Sequence, residues 1–176
     1  MAFGLEPEPV DSLAVGRGAR RAAERHMRRA APAEAAGLLA GRAVDRPSGG
    51  RSGRAGLYLP LRNTASDPLS RFRVEPDALG RALVRLGRRG LVALAVVHSH
   101  PRGPAAPSAH DSAGMWPELL TVLLSGPGAT RWRAYRAPAS GARTPRSLER
   151  RPLVLGLRPG RRRPAAGAAT GAEPPS

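Results

Sequence analysis

Apolar residues recur along this chain in two periods, and the switches between them lay out its elements. From Leu91 to Val97 every residue is apolar, a run of strand length that predicts a buried strand delivering His98 to His100. Between Pro76 and Arg89 the leucines Leu79, Leu83 and Leu86 recur at spacings of four and three. They share one buried helix face, and Pro76 suits the first turn. Upstream, a helix is expected from Asp11 to Ala30, with Asp11 or Ser12 as its cap and Gly16 and Gly18 as weak interruptions. A first strand follows at about residues 35–44, then an Arg/Ser/Gly-rich loop over 45–56. A strand is expected at Leu57–Leu61, a turn-rich connection from Asn63 to Ser70 and a short strand at Phe72–Val74. Beyond residue 100 the pattern predicts a short helix at Asp111–Trp116 and strands at Leu119–Ser125 and Arg131–Arg136. Strands alternating with two or three helices indicate an α/β domain.

From Ala137 the periodicity is lost, apart from Leu153–Leu157, which reads as one last edge strand. The expected organisation is a flexible N-terminus over residues 1–10, a domain over 11–136 and an irregular segment over 137–157. Residues 158–176 form an Arg/Pro/Ala-rich tail that cannot bury enough apolar surface to order itself. No internal repeat is present. No stretch reaches the roughly 18 apolar residues of a membrane span. The first residues have neither the basic nor the apolar region of a secretion signal. A soluble cytoplasmic protein with no membrane partner is therefore expected, and the absence of cysteine makes the chain indifferent to redox conditions.

Net charge is +16, as a nucleic-acid binder would show. Yet all 29 basic residues are arginine, alanine and glycine are also abundant, and aromatic residues make up only 3% of the chain. Stacking platforms for bases are scarce. Most of the charge therefore reads as a solvated face, with nucleic-acid contact as the minor reading.

Three of the four histidines, His98, His100 and His110, fall within thirteen residues, and the segment reads H-x-H-x7-S-x2-D from His98 to Asp111. On a strand, residues i and i+2 point to one face, so His98 and His100 can aim at a single ion while Ser99 points away. Pro101 should end the strand, and the Gly103, Pro104 and Pro107 loop can fold back to bring Asp111 near. Two imidazoles and one carboxylate leave a tetrahedral Zn²⁺ one open position, the arrangement of a catalytic site. At this composition the spacing arises by chance in roughly 2 of 10,000 such chains, which favours a metal site over coincidence.

These residues resemble the JAMM (MPN+) metalloproteases, whose motif is an upstream glutamate followed by H-[ST]-H-P-x6-S-x2-D. The bacterial members also carry a segment like P-x-E-x-x-G-L-L-x-G, and Pro32–Gly41 is similar to it. A middle stretch, Arg62-Asn63-Thr64 through Phe72-Arg73-Val74-Glu75-Pro76, looks like the bacterial subgroup as well. The resemblance covers roughly residues 13–136. It implies a single domain with a central mixed, curved β-sheet flanked by helices. It also implies one Zn²⁺ per chain held by His98, His100 and Asp111, with Glu34 as general acid/base and Ser108 as donor to the oxyanion.

Glu24, Glu75 and Glu118 are rivals of Glu34, but only Glu34 stands at the motif position. His110 rivals Asp111, and the spacing favours Asp111. Ser108 also reads as an ordinary N-cap. Ala36 stands where the family often has a cysteine. The function implied is hydrolysis of a peptide or isopeptide bond at the C-terminal tail of a ubiquitin-like, sulfur-carrier-type protein, toward which a basic surface would steer an acidic partner. Two alternatives stand beside it: a nucleic-acid-associated protein of a DNA-repair-related branch, which usually reads H-N-H-P where this chain has Ser99, and a metal-free interaction module.

Overall fold

The computed structural model describes residues 9–137, 146–147 and 154–157 of the 176-residue chain. In chain order the elements are β1 (Ser12–Gly16), α1 (Arg17–Ala30), β2 (Ala36–Asp45), β3 (Arg51–Leu61), α2 (Pro76–Gly87), β4 (Val92–His100) and α3 (Ala109–Ala113). β5 (Leu120–Ser125), a 3-10 turn at Pro127–Ala129, β6 (Arg131–Arg136), β7 (Arg146–Ser147) and β8 (Val154–Leu157) complete the series. The strands form one mixed sheet in the order β7-β6-β5-β4-β2-β3-β1-β8. β4 runs parallel to β5 and antiparallel to β2.

Two-residue alternation divides the core between the sheet's faces. Leu39, Ala95 and Val97 pack with Ala19, Ala23 and Met27 of α1 on one side. Leu38, Ala40 and Ala93 pack with Ala82 and Leu86 of α2 on the other, and Leu79, Leu83 and Val96 close that cluster. The leucine face read from the sequence is thus the buried face of α2. The sheet is sandwiched between helices, as strand and helix alternation predicts.

Four local expectations are corrected. The first helix starts at Arg17, because Leu13 and Val15 alternate with half-buried neighbours and pair in parallel with β3 as strand β1. Period two wins there because both apolar residues find a sheet neighbour, and Gly16, in extended conformation, makes the switch into the helix. The loop expected over 45–56 shrinks to a tight turn, since β3 begins at Arg51 and pairs with β2 from Asp45↔Arg51 to Ala36↔Leu61. The buried positions of its first half are Gly53 and Ala55, small residues that give no hydrophobic signal, and Gly49 and Gly50 supply the positive φ of the turn. Phe72–Val74 is not a strand; the segment lies outside the sheet, held by hydrogen bonds to Asn63 and Thr64. The helix expected at Asp111–Trp116 is the single turn Ala109–Ala113, started earlier by its cap at Ser108.

The last apolar run forms β8 beside β1 at one end of the sheet. Of the N-terminus expected to be flexible over residues 1–10, residues 1–8 lie outside the described residues, as does the tail 158–176, whereas Val10 is buried in the core. Among the described residues no helix is long and apolar enough to cross a membrane.

Candidate metal centre

His98 and His100 leave the C-terminal end of β4 on the face shared with α2. Ser99 points to the other face, where its hydroxyl accepts the Ala35 amide at 3.0 Å. Pro101 ends the strand, and the following loop returns to Ser108, whose side chain and backbone close a capping box with Asp111. Asp111 is thereby carried to the two imidazoles. His98 Nε2 and His100 Nε2 lie 3.2 Å apart, His98 Nε2 and Asp111 Oδ1 3.1 Å, and His100 Nε2 and Asp111 Oδ2 3.3 Å.

Those three separations decide whether the residues fit a metal. Bonds of about 2.0 Å in tetrahedral geometry place neighbouring ligand atoms roughly 3.3 Å apart. Borderline donors, N, N and O, at that spacing suit Zn²⁺. The tautomer a metal needs is available at His100, where Nδ1 donates to the Pro104 carbonyl at 3.0 Å, so that Nε2 could give up its hydrogen bond to Asp111 for an ion. The Nδ1 of His98 is buried with no hydrogen-bond partner among the described residues.

Glu34 lies two residues before the start of β2, with Oε1 3.9 Å from His100 Nε2 and Oε2 buried and without a hydrogen-bond partner among the described residues. Burial pushes its carboxyl up to about 7; the charge of His100 opposes this, while Asp111 and Asp67 add to it. Burial likewise lowers His98 below the ordinary histidine value. His100 goes the other way, because the Asp111 hydrogen bond, the Pro104 carbonyl and nearby negative charge outweigh its burial. For Asp111, hydrogen bonds from His100, His98 and Ser108 outweigh burial and hold the carboxyl well below the usual range. The site therefore combines a carboxylate fixed in its charged form with a second carboxyl that titrates near neutrality.

The Ser108 hydroxyl donates to Asp111 Oδ2 at 2.7 Å and accepts from the Asp111 amide at 3.1 Å. The cap read from the sequence is thus observed, and it places the hydroxyl at the rim of the centre. Of the rivals, Glu24 pairs with Arg20 on α1, Glu75 precedes α2 and accepts from the Thr64 hydroxyl, and Glu118 is exposed. His110 is exposed on α3 and is not one of the three converging residues that could hold a metal. Ala36 is fully buried opposite His98 in the β2–β4 register.

Two residues at the site lie in the middle stretch that resembles the bacterial subgroup, but the sequence assigned them no role. Phe72 stacks on His98 with ring centroids 4.4 Å apart at 30°. Asn63 donates to the Glu34 carbonyl at 2.8 Å. Phe72 also walls a cavity of about 200 Å³ that runs from His98 and Asp111 to Leu38, Leu61 and Trp116.

A mixed sheet between helices, with a His-x-His strand end and a capped Asp converging beside a buried Glu, defines a JAB-type domain. The chain matches the family of prokaryotic homologues of the JAB domain over residues 17–137 and belongs to it. A Thermus thermophilus protein named a probable TtuB-protein conjugate cleaving protease is 42% identical over 100 residues, covering 56% of this chain and 60% of that one. The match thus spans less than two thirds of that relative. A solution structure of a Desulfitobacterium hafniense protein is similar at 25% identity and TM-score 0.67, over 81% of this chain and 92% of that one. One from Salinibacter ruber shares the fold at 22% identity and TM-score 0.55, over 86% and 94%.

Proposed function

We propose that this chain is a zinc-dependent peptidase or isopeptidase that cleaves at the C-terminal tail of a ubiquitin-like, sulfur-carrier-type protein. The observation that carries the reading is the convergence of His98, His100 and Asp111 at 3.1 to 3.3 Å with the Glu34 carboxyl alongside. The Thermus relative's name supports the substrate class. His98, His100 and Asp111 would hold the ion. Zinc there would act as a Lewis acid on the scissile carbonyl and lower the pKa of a water to about 7.

Glu34 takes the proton of the attacking water and returns it to the leaving amine, a task matched by a carboxyl titrating near 7. The Ser108 hydroxyl, at the rim of the centre, has one hydrogen, given to Asp111 Oδ2 in this structure, and would turn it to the oxyanion of the tetrahedral intermediate. A Gly-Gly tail suits the approach, because an extended peptide without side chains can lie close to the sheet and present its carbonyl.

Elemental mass spectrometry of the purified protein beside Asp111→Ala tests the metal. Zinc near one per chain, lost in the variant, is expected; absence of metal after zinc is supplied overturns the reading. Glu34→Gln is expected to keep zinc and fold while cleavage of a ubiquitin-like fusion falls by about 10²- to 10⁴-fold. Undiminished cleavage by that variant would remove Glu34 from its role.

A further inference from the structure

We infer that Asn63 and Phe72 form one positioning unit for the metal centre, in which Asn63 fastens the backbone on both sides of Phe72 and the Phe72 ring sets the His98 imidazole. The inference rests on the metal-centre reading above. It starts from an asymmetry between the two histidines. A hydrogen bond from Nδ1 to the Pro104 carbonyl orients His100, whereas the buried Nδ1 of His98 has no partner among the described residues. Metal-bound histidines are ordinarily held by such a bond. Here the flat face of Phe72 lies against His98 instead, 4.4 Å between centroids and 30° from parallel.

Phe72 belongs to neither sheet nor helix, so its own position needs an anchor. Asn63 supplies it. The carboxamide Nδ2 donates to the Arg71 carbonyl at 2.9 Å, and Oδ1 accepts the Arg73 amide at 3.0 Å, gripping the peptide groups that flank Phe72. The same Nδ2 donates to the Glu34 carbonyl at 2.8 Å, and the same Oδ1 accepts the Ala65 amide at 2.9 Å. Two donor hydrogens and two acceptor positions are all used. The orientation of the amide is therefore determined, because exchanging its oxygen and nitrogen would set like against like at all four contacts. Pro68, in the same segment, accepts the Glu34 amide at 2.7 Å, so both backbone polar groups of Glu34 are tied to this stretch. One asparagine thus links the candidate acid/base to the residue that orients a candidate ligand.

A merely structural role for Asn63 would lower the melting temperature and leave the centre unchanged in the folded protein. Cobalt(II) separates the two, because its visible absorption reports ligand geometry and its affinity is read without substrate. The full chain, metal-free, is titrated with cobalt against a chromogenic chelator, far below the melting temperature and with fold checked by circular dichroism. The variants are Asn63→Asp, which keeps the acceptor and sets charge against two carbonyls, Phe72→Leu, which removes the flat ring, and Phe72→Tyr, which retains it.

Asn63→Asp and Phe72→Leu are each expected to weaken cobalt by about 10- to 100-fold and to alter its visible band, while Phe72→Tyr stays near wild type. The double variant Asn63→Asp/Phe72→Leu is expected to lose little more than the worse single one, as residues acting through one another do. Wild-type affinity and band in the single variants, or losses that simply multiply in the double, overturn the inference. If Asn63→Asp does not fold, the contrast between Phe72→Leu and Phe72→Tyr decides. Failure of the unmodified chain to bind cobalt would instead sink the metal centre itself.

Discussion

Glu34 occupies a place where burial, with Asp111 and Asp67 adding to it, disfavours its charge, and that has a measurable consequence for stability. Folding raises its pKa from 4.5 to about 7, so the folded state holds the proton more tightly than the unfolded chain. Its contribution is fully present below about pH 4.5 and is lost as pH rises through about 7. In the metal-free protein, the melting temperature of Glu34→Gln relative to wild type is expected to shift in the variant's favour between pH 5 and pH 8. A difference that does not change with pH would contradict the buried placement of this carboxyl. Ser108 is tested separately: Ser108→Ala removes the cap of α3 and one hydrogen bond to Asp111, and is expected to cost about 1 kcal/mol in thermal or denaturant unfolding.

Among the elements, the β2–β3 hairpin and α2 carry glycines with opposite consequences. At Gly41, beside the register shift between the two strands, an added Cβ would fall on the Arg54 carbonyl oxygen of the paired strand. Backbone cannot step aside as a side chain would, so Gly41→Ala is expected to destabilise by about 1–3 kcal/mol. Gly80 lies in α2 with open space where a Cβ would go. Gly80→Ala is expected to stabilise by about 0.5–1 kcal/mol, the gain in helix propensity. Melting curves of the two variants check both signs. A strand pattern made of Gly53 and Ala55 and a helix entry at Gly16 were illegible for one reason: small residues are buried through their neighbours' packing, which no hydropathy pattern records.

At the scale of the molecule, the charge of +16 is carried by arginine alone. Arg81 and Arg85 on α2, and Arg88 and Arg89 just beyond its end, stand exposed; α2 covers the face of the sheet that carries His98. A like-charged surface of this kind accelerates encounter with acidic partners and is screened by salt. Cleavage of an acidic protein substrate is expected to weaken by about 10-fold in kcat/KM from low to high ionic strength, through KM, while a neutral short peptide is unaffected. Equal salt dependence of both substrates would assign the effect to the chemistry instead of to steering.

The sequence by itself determined the α/β class, the leucine face of α2, the buried β4 strand and which two histidines and which aspartate converge. Each of these is written in short-range spacing: two residues along a strand, three and four along a helix, and a Ser-x-x-Asp cap that fixes Asp111 within one turn. Tertiary structure decided the rest. That Glu34, sixty-four residues before His98, comes within reach of His100 depends on the β2–β4 pairing, which sets Ala36 opposite His98. That Asn63 grips the segment around Phe72, and Phe72 the ring of His98, depends on a fold-back outside any regular element. Such contacts join residues through satisfied hydrogen bonds and stacked surfaces at long sequence separation, and only the folded chain brings the partners together.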